Sequence, residues 1–373
     1  MIDTISAMPN AHSHAFQRDL RGVGERHSDP SDDFWTWRTE MFRLAGALTP
    51  ERMADVAGRV YREMAAAGYW AVGEFHYVVH QPDGTPYEQP NVMAMTLADT
   101  AREAGLEITL LPAAYHRNGW DGGDRPPEPG QRRFCDATVE GYLTRVDALR
   151  EWAEGRDGVH VGVAAHSVRA VPREWLAEIA RYADTYNLVR HVHAHEQVRE
   201  LEECAAEHDG VTPIALLRAT GFLGPRTSVV HGIHVTDADV AHLGETDTIV
   251  VTCPTTEGNL GDGHFPAMRY LDAGVRMAIG SDSNVRVDPF EEAREMETLA
   301  RRERRTRAGL LSCYSDLWAE LVSNGRRSLG LEGRPDAMAA IDRHHPQLAG
   351  VANADLPRAL VTAASSAVVR GLA

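Results

Sequence analysis

The chain has 373 residues, and 38 basic against 54 acidic side chains leave a net charge of −16, which argues against a nucleic-acid partner. That length is long for one ordinary domain but normal for an α/β barrel with insertions; no apolar run approaches a membrane span, and the start, Met1-Ile2-Asp3-Thr4, lacks the basic and apolar stretches of a signal peptide. Every one of the basic residues is arginine, and the lack of lysine excludes a Schiff-base aldolase, a pyridoxal-phosphate enzyme, a Walker A loop and a bimetallic centre bridged by a carbamylated lysine.

Eight apolar segments, each closed by polar residues, read as buried strands. In chain order they are Ser6 to His14, Tyr69 to Tyr77, Glu107 to Ala114, His160 to Arg169, Leu188 to Glu196, Thr227 to His234, Thr248 to Thr256 and Val275 to Ser283. Most are near-continuous apolar runs, the pattern of parallel strands covered on both faces. Helical periodicity fills gaps between them, at Pro50 to Ala67, Val92 to Ala104, Asp136 to Glu154, Arg173 to Tyr186 and Asp237 to Leu243. Strand and helix in alternation predict an α/β fold of the (β/α)8 TIM barrel type. The expectation is one barrel domain over 1–373, with the eight strands within about 6–283 and a C-terminal helical region over 284–373. Two stretches read as active-site loops, Arg18 to Trp37 and Asn118 to Arg133, the second ending in Gln131-Arg132-Arg133. Phe290 to Arg307 reads as a charged, solvated helix with i,i+4 pairs. Cys135, Cys204, Cys253 and Cys313 show no C-x-x-C spacing, which fits a reduced cytoplasmic protein.

The residues that carry chemistry close these strands. His12 and His14 lie two apart at a strand end, so their imidazoles share one face. In His191-Val192-His193-Ala194-His195 all three histidines share one parity, and any of them could face the barrel interior. Glu196 is a candidate proton shuttle. His231 fits a ligand, a holder of the attacking water or a satisfied core residue, and Asp282 fits a ligand and proton acceptor or the cap of a turn. Imidazoles and one carboxylate gathered from separate strands suit a mononuclear Zn²⁺ site with a position open for water, hence metal-assisted hydrolysis. All of them lie at the C-terminal strand ends, where active sites of this fold are built. Gln17, Arg38, Tyr77, His166 and Arg169 are polar residues near the same face, and arginine forks bind carboxylates, so the set points to an acidic small molecule.

With these residues in view, the chain resembles the amidohydrolase superfamily in its mononuclear deaminase branch, and within it the formimidoylglutamate deiminases of histidine degradation. The resemblance runs from about Met8 to Glu297 and rests on the strings Met8-Pro9-Asn10-Ala11-His12-Ser13-His14-Ala15-Phe16-Gln17-Arg18, Asp33-Phe34-Trp35-Thr36-Trp37-Arg38, Glu74-Phe75-His76-Tyr77, Gly130-Gln131-Arg132-Arg133-Phe134, His166-Ser167-Val168-Arg169-Ala170-Val171 and Thr256-Glu257-Gly258-Asn259-Leu260-Gly261-Asp262-Gly263. It implies one Zn²⁺ per chain, or another divalent metal, held by His12, His14, His193 and Asp282. It implies that His231 orients the attacking water and, with Asp282, moves its proton. Glu196 and Gln17 would engage the formimino group, and Glu196 would protonate the leaving nitrogen. Tyr77, His166, Arg169 and Arg38 would hold the glutamate carboxylates. The implied reaction is hydrolytic deamination of N-formimino-L-glutamate to N-formyl-L-glutamate and ammonia, by a homodimer with no nucleic-acid or membrane partner.

The chain departs from the pattern in two places. The family's N-terminal and C-terminal β-sandwich is largely missing, with His12 arriving almost at once and the chain ending at Ala373. Asn284 stands where better-known members carry histidine, and Arg286-Val287-Asp288 differs nearby, in a loop expected to border the substrate. Two other readings fit the residues: a related deaminase acting on another amidine, a guanidine or an aminated heterocycle, and a barrel without catalysis that serves as a binding protein.

Overall fold

The computed structural model describes residues 2–26, 32–120 and 122–373, so residues 27–31 of the first expected loop and residue 121 of the second lie outside the described residues. The described residues form twelve strands: β1 Ile2–Ser6, β2 Met8–Ser13, β3 Tyr69–His76, β4 Glu107–Ala114, β5 Val159–Val161, β6 Val163–Ser167, β7 Arg190–Ala194, β8 Thr227–His231, β9 Ile249–Thr252, β10 Met277–Ile279, β11 Met338–Asp342 and β12 Val369–Leu372. Strands β2 to β10 pair in parallel in the order β10-β9-β8-β7-β6-β4-β3-β2, with β5 on β4. The ring closes at the C-terminal strand ends, where Ser13 bridges Asp282 and the backbone N–H groups of Ser281 and Asp282 donate to His12 O at 3.1 and 3.0 Å. With helices between successive strands this is an eight-stranded α/β barrel.

The apolar runs form strands because both faces are covered: β2 and β3 are buried along their whole length. The helices carry sequence signals at their ends. Helix Pro50–Ala67 starts with Thr49 accepting from Arg52 N and Pro50 in the first turn, and stops at Gly68, whose φ of 96° is left-handed.

Three expectations need correction. The expected strand from His160 to Arg169 is two strands, β5 and β6, broken at Gly162. A Cβ there would lie 2.7 Å from Val189 O and 2.9 Å from Leu111 Cδ2, so the main chain passes too close to its neighbours for any side chain. The first expected active-site loop ends in a helix, Phe34–Gly46, nucleated by Asp33, whose carboxylate accepts from Trp35 N and Thr36 N at 2.9 and 3.1 Å. The region 284–373 is not purely helical. Its strands β11 and β12 join β1 in a three-stranded antiparallel sheet, order β1-β11-β12, that brings both ends of the described chain together.

The opposite mouth of the barrel is stoppered by the end of helix Leu317–Ser328. Asn324 Nδ2 donates to Met277 O at 3.0 Å, Ser328 Oγ meets Ser228 Oγ at 2.8 Å, and Thr109 Oγ1 donates to Leu329 O at 2.9 Å. That stopper leaves only the C-terminal mouth open to a ligand. No helix among the described residues is long and apolar enough to cross a membrane.

Candidate active site

The C-terminal strand ends bring three imidazole nitrogens to one point. His12 Nε2 lies 3.2 Å from His14 Nε2 and 3.0 Å from His193 Nε2. Asp282 Oδ1 stands 3.5 Å from His12 Nε2 and 3.3 Å from His14 Nε2. His14 Nδ1 donates to Phe75 O at 2.8 Å and His193 Nδ1 to His166 O at 3.0 Å, which leaves both Nε2 atoms as bare lone pairs. Burial pushes all three imidazoles below their usual pKa, His12 to about 3, so the rings are neutral. Neutral lone pairs and a carboxylate aimed at one spot repel each other and suit a cation; donor atoms on a tetrahedral ion with bonds of roughly 2.0–2.1 Å would stand about 3.3 Å apart.

The structure separates the three histidines that share a parity on β7. His191 lies deep in the barrel with Nε2 2.9 Å from Ser328 O of the stopper, so it is a core residue. His195 adopts a φ of 59°, and its ring turns away to bond His234 O at 2.9 Å and accept from Ile214 N at 3.2 Å. Only His193 is left facing His12 and His14. His231, Asp282 and Asn284 also adopt left-handed φ values of 75°, 43° and 57°. Backbone of this kind clusters where a site is held in a set geometry.

His231 ends β8 between two carboxylates, with Nε2 3.5 Å from Glu196 Oε1 and Nδ1 3.4 Å from Glu257 Oε1. Burial, the largest influence, lowers the His231 pKa, but Glu196, Glu257 and Asp282 outweigh it and raise it to about 10. Burial raises the Glu196 carboxyl, with Asp282 and Glu257 acting the same way and His231 and Arg169 opposing. Glu257 is a site residue that the strand pattern does not reveal, since it lies inside helix Pro254–Leu260. There it accepts from Cys253 N at 2.8 Å and Thr252 Oγ1 at 2.7 Å.

A pocket opens above this cluster and collects every expected contact residue: Gln17, Arg38, Tyr77, His166 and Arg169, together with Glu196, His231 and Asp282. Gln17 Nε2 donates to Tyr77 OH at 2.9 Å, while Gln17 Oε1 is buried and without a partner. Arg169 is 5 % exposed, and neither it nor Arg38 forms an ion pair among the described residues. Phe34, Trp37, Met41 and Phe42, all on helix Phe34–Gly46, supply an apolar wall.

Asn284 does not face that cavity. Its side chain is wholly buried in the seam that closes the barrel, where Nδ2 donates to Ser13 Oγ, His14 O and Asp282 O at 3.2, 3.0 and 3.1 Å and Oδ1 accepts from Ser281 Oγ at 2.7 Å. The expectation that it borders the substrate is therefore corrected. It is a clasp between the first and last barrel strands. Asn284→Ala would strand these partners, and the expected loss is about 2–3 kcal/mol of stability in chemical denaturation. A loss under about 0.5 kcal/mol, the range of an inert surface change, would show that the clasp holds nothing.

The barrel is stoppered at one end, and its polar groups converge on a pocket at the other, the face where active sites of this fold are built. A model of the Amidohydrolase family matches residues 5–313, and the chain belongs to that family. It is 37% identical over 359 residues to formimidoylglutamate deiminase of Pseudomonas aeruginosa, a match that covers 92% of this chain and 77% of that protein. It is 29% identical over 294 residues to a 5-methylthioadenosine/S-adenosylhomocysteine deaminase of Haloarcula marismortui, covering 78% of this chain and 60% of that protein. Among solved structures, an amidohydrolase from Brucella melitensis superposes with a TM-score of 0.88 at 31% identity, covering 99% of this chain and 84% of that one. The protein is a hydrolase of carbon–nitrogen bonds, with deiminases and deaminases as relatives.

Proposed function

We propose that the protein hydrolyses N-formimino-L-glutamate to N-formyl-L-glutamate and ammonia, using one divalent metal ion, zinc for preference. The observation that carries this reading is the pair of arginines without carboxylate partners, Arg38 and Arg169, in a cavity whose floor is the His12–His14–His193 cluster. A guanidinium removed from water and left unpaired is costly unless an anion completes it. A substrate without a carboxylate, such as the 5-methylthioadenosine named for one relative, would leave both charges unmatched.

His12, His14, His193 and Asp282 would hold the metal, since their donor atoms already converge. When bound, zinc would supply a water whose pKa falls from 15.7 to roughly 7. The residues of the chain do the remaining work. Arg169, Arg38, His166 and Tyr77 hold the carboxylates and so fix the formimino carbon over the attacking water. Gln17 Oε1, an acceptor in need of a donor, takes a formimino N–H. Asp282 takes the proton of the attacking water, and His231, held protonated between Glu196 and Glu257, orients that water and steadies the charge that develops on it. Glu196 passes a proton to the nitrogen that departs, so that water is consumed and ammonia is released. The apolar wall of helix Phe34–Gly46 keeps bulk water out.

The test is ammonia release from N-formimino-L-glutamate by zinc-loaded protein. Arg169→Ala is expected to raise KM about 10- to 100-fold, the worth of a charge-assisted pair. An unchanged KM would remove Arg169 from carboxylate binding, and no release from protein shown to contain zinc would overturn the substrate.

A further inference from the structure

The two stretches that frame the catalytic mouth border a second, outer cavity of about 390 Å³. Arg38, Phe42 and Arg169 line both cavities, so the outer one opens directly onto the inner. It adds two further arginines, Arg125 and Arg199. The indole of Trp35 is faced by three guanidinium groups, of Arg199 at 4.5 Å, Arg169 at 5.3 Å and Arg38 at 5.6 Å from its centre. Stacking on an aromatic face immobilises a guanidinium without consuming the N–H groups along its edge, which stay available to a carboxylate.

The acidic residues nearby offset only part of this charge: Glu203 pairs with Arg199, Glu128 lies close enough to act on Arg38, and Glu196 and Glu200 on Arg169. Glu203 Oε1 accepts from Arg199 at 2.7 Å, and Glu128 accepts from Asn118 Nδ2 at 2.8 Å. Arg38, Arg125 and Arg169 form no ion pair among the described residues, and Arg125 spends only its Nε, on Asn118 O at 2.8 Å. On a chain of net charge −16 the long-range field repels a dianion, so a local concentration of positive charge at one mouth selects what enters.

We infer that this outer cavity is a capture site for dicarboxylates, in which Arg125 and Arg199, set around Trp35, take a carboxylate of the incoming acidic substrate and pass it to Arg38 and Arg169. The site rests on the reading of the inner cavity as one for an acidic substrate, and it adds a second anion-binding station outside it. Neither Arg125 nor Arg199 lines the inner cavity, so both act on arrival and retention.

The probe is glutarate, an unreactive dicarboxylate, titrated into zinc-loaded protein at about 10 mM and about 500 mM salt, where the screening length falls from roughly 30 Å to under 8 Å. The double variant Arg125→Gln/Arg199→Gln is expected to weaken glutarate binding about tenfold at low salt and to differ little from the parent at high salt. The charge-preserving Arg125→Lys/Arg199→Lys is expected to retain most of the affinity, which separates charge from packing. Equal glutarate affinity in parent and Gln variant at low salt would overturn the capture site. Turnover keeps the two readings apart: ammonia release with a kcat/KM indifferent to the Gln variant sinks only the capture site. Glutarate binding that follows these variants, without ammonia release from N-formimino-L-glutamate, sinks only the proposed substrate.

Discussion

Asp282→Asn is expected to lower kcat for ammonia release by about 10³-fold or more, with protein and variant compared at equal zinc content. The substitution keeps the shape of the site. The backbone of residue 282 is held by His12 O at 3.0 Å, by His14 N at 2.9 Å and by the Asn284 amide, so an isosteric side chain stays in place. What is lost is charge and the ability to take a proton. Burial, the largest influence, works to raise the Asp282 pKa, yet its contact with His12 and the positive charge of protonated His231 hold it below the usual carboxylate range. It is therefore ionised at neutral pH, with Oδ1 3.3 Å from His14 Nε2. An asparagine variant with the parent's zinc content and a kcat within tenfold of the parent would remove Asp282 from proton transfer.

Glu196→Gln is the second large effect, a fall in kcat of about 10²- to 10⁴-fold, the usual worth of a positioned proton carrier. Glu196 is 9 % exposed at the end of β7, just past the left-handed turn at His195 that redirects the chain. Its Oε1 is 3.5 Å from His231 Nε2, and its backbone N–H donates to Glu200 Oε2 at 3.3 Å. Glutamine keeps the volume and a hydrogen-bonding oxygen but neither gains nor gives up a proton. KM is expected to move less than about threefold, because the proposed carboxylate contacts are made by Arg38 and Arg169 and not by Glu196. A coupled ammonia assay reads both constants. A fall in kcat/KM carried wholly by KM would make Glu196 a binding residue, and the proton would have to come from elsewhere.

Much of this site can be read along the chain because parallel barrel strands advertise themselves twice. Their interiors are apolar on both faces, which marks Tyr69 to Tyr77 and Thr227 to His234 as strands. Their C-terminal ends are where polar residues break the run, which places His12, His14, His231 and Asp282 together before any pairing is known. The elements that escape this reading lack such a pattern. Helix Phe34–Gly46 starts in a polar, glycine-rich stretch, and its signal is the local cap at Asp33. Strands β11 and β12 are short and lie outside the barrel, so their alternation is weak, and the pairing of β11 with β1 spans nearly the whole chain.

Chain order and local composition determine that there is a barrel, which end of it is polar, and which residue types gather there, since alternation and apolar runs follow from the backbone geometry of single strands. They leave open which of His191, His193 and His195 meets His12, because that depends on depth along the barrel and on one left-handed φ. They do not show that Asn284 clasps the seam, that Glu257 reaches His231 from a helix, or that Arg38 and Arg169 stand without carboxylates. Each of these is a contact between residues far apart in the chain, set by how strands tilt and close and by which charges the packing leaves unpaired.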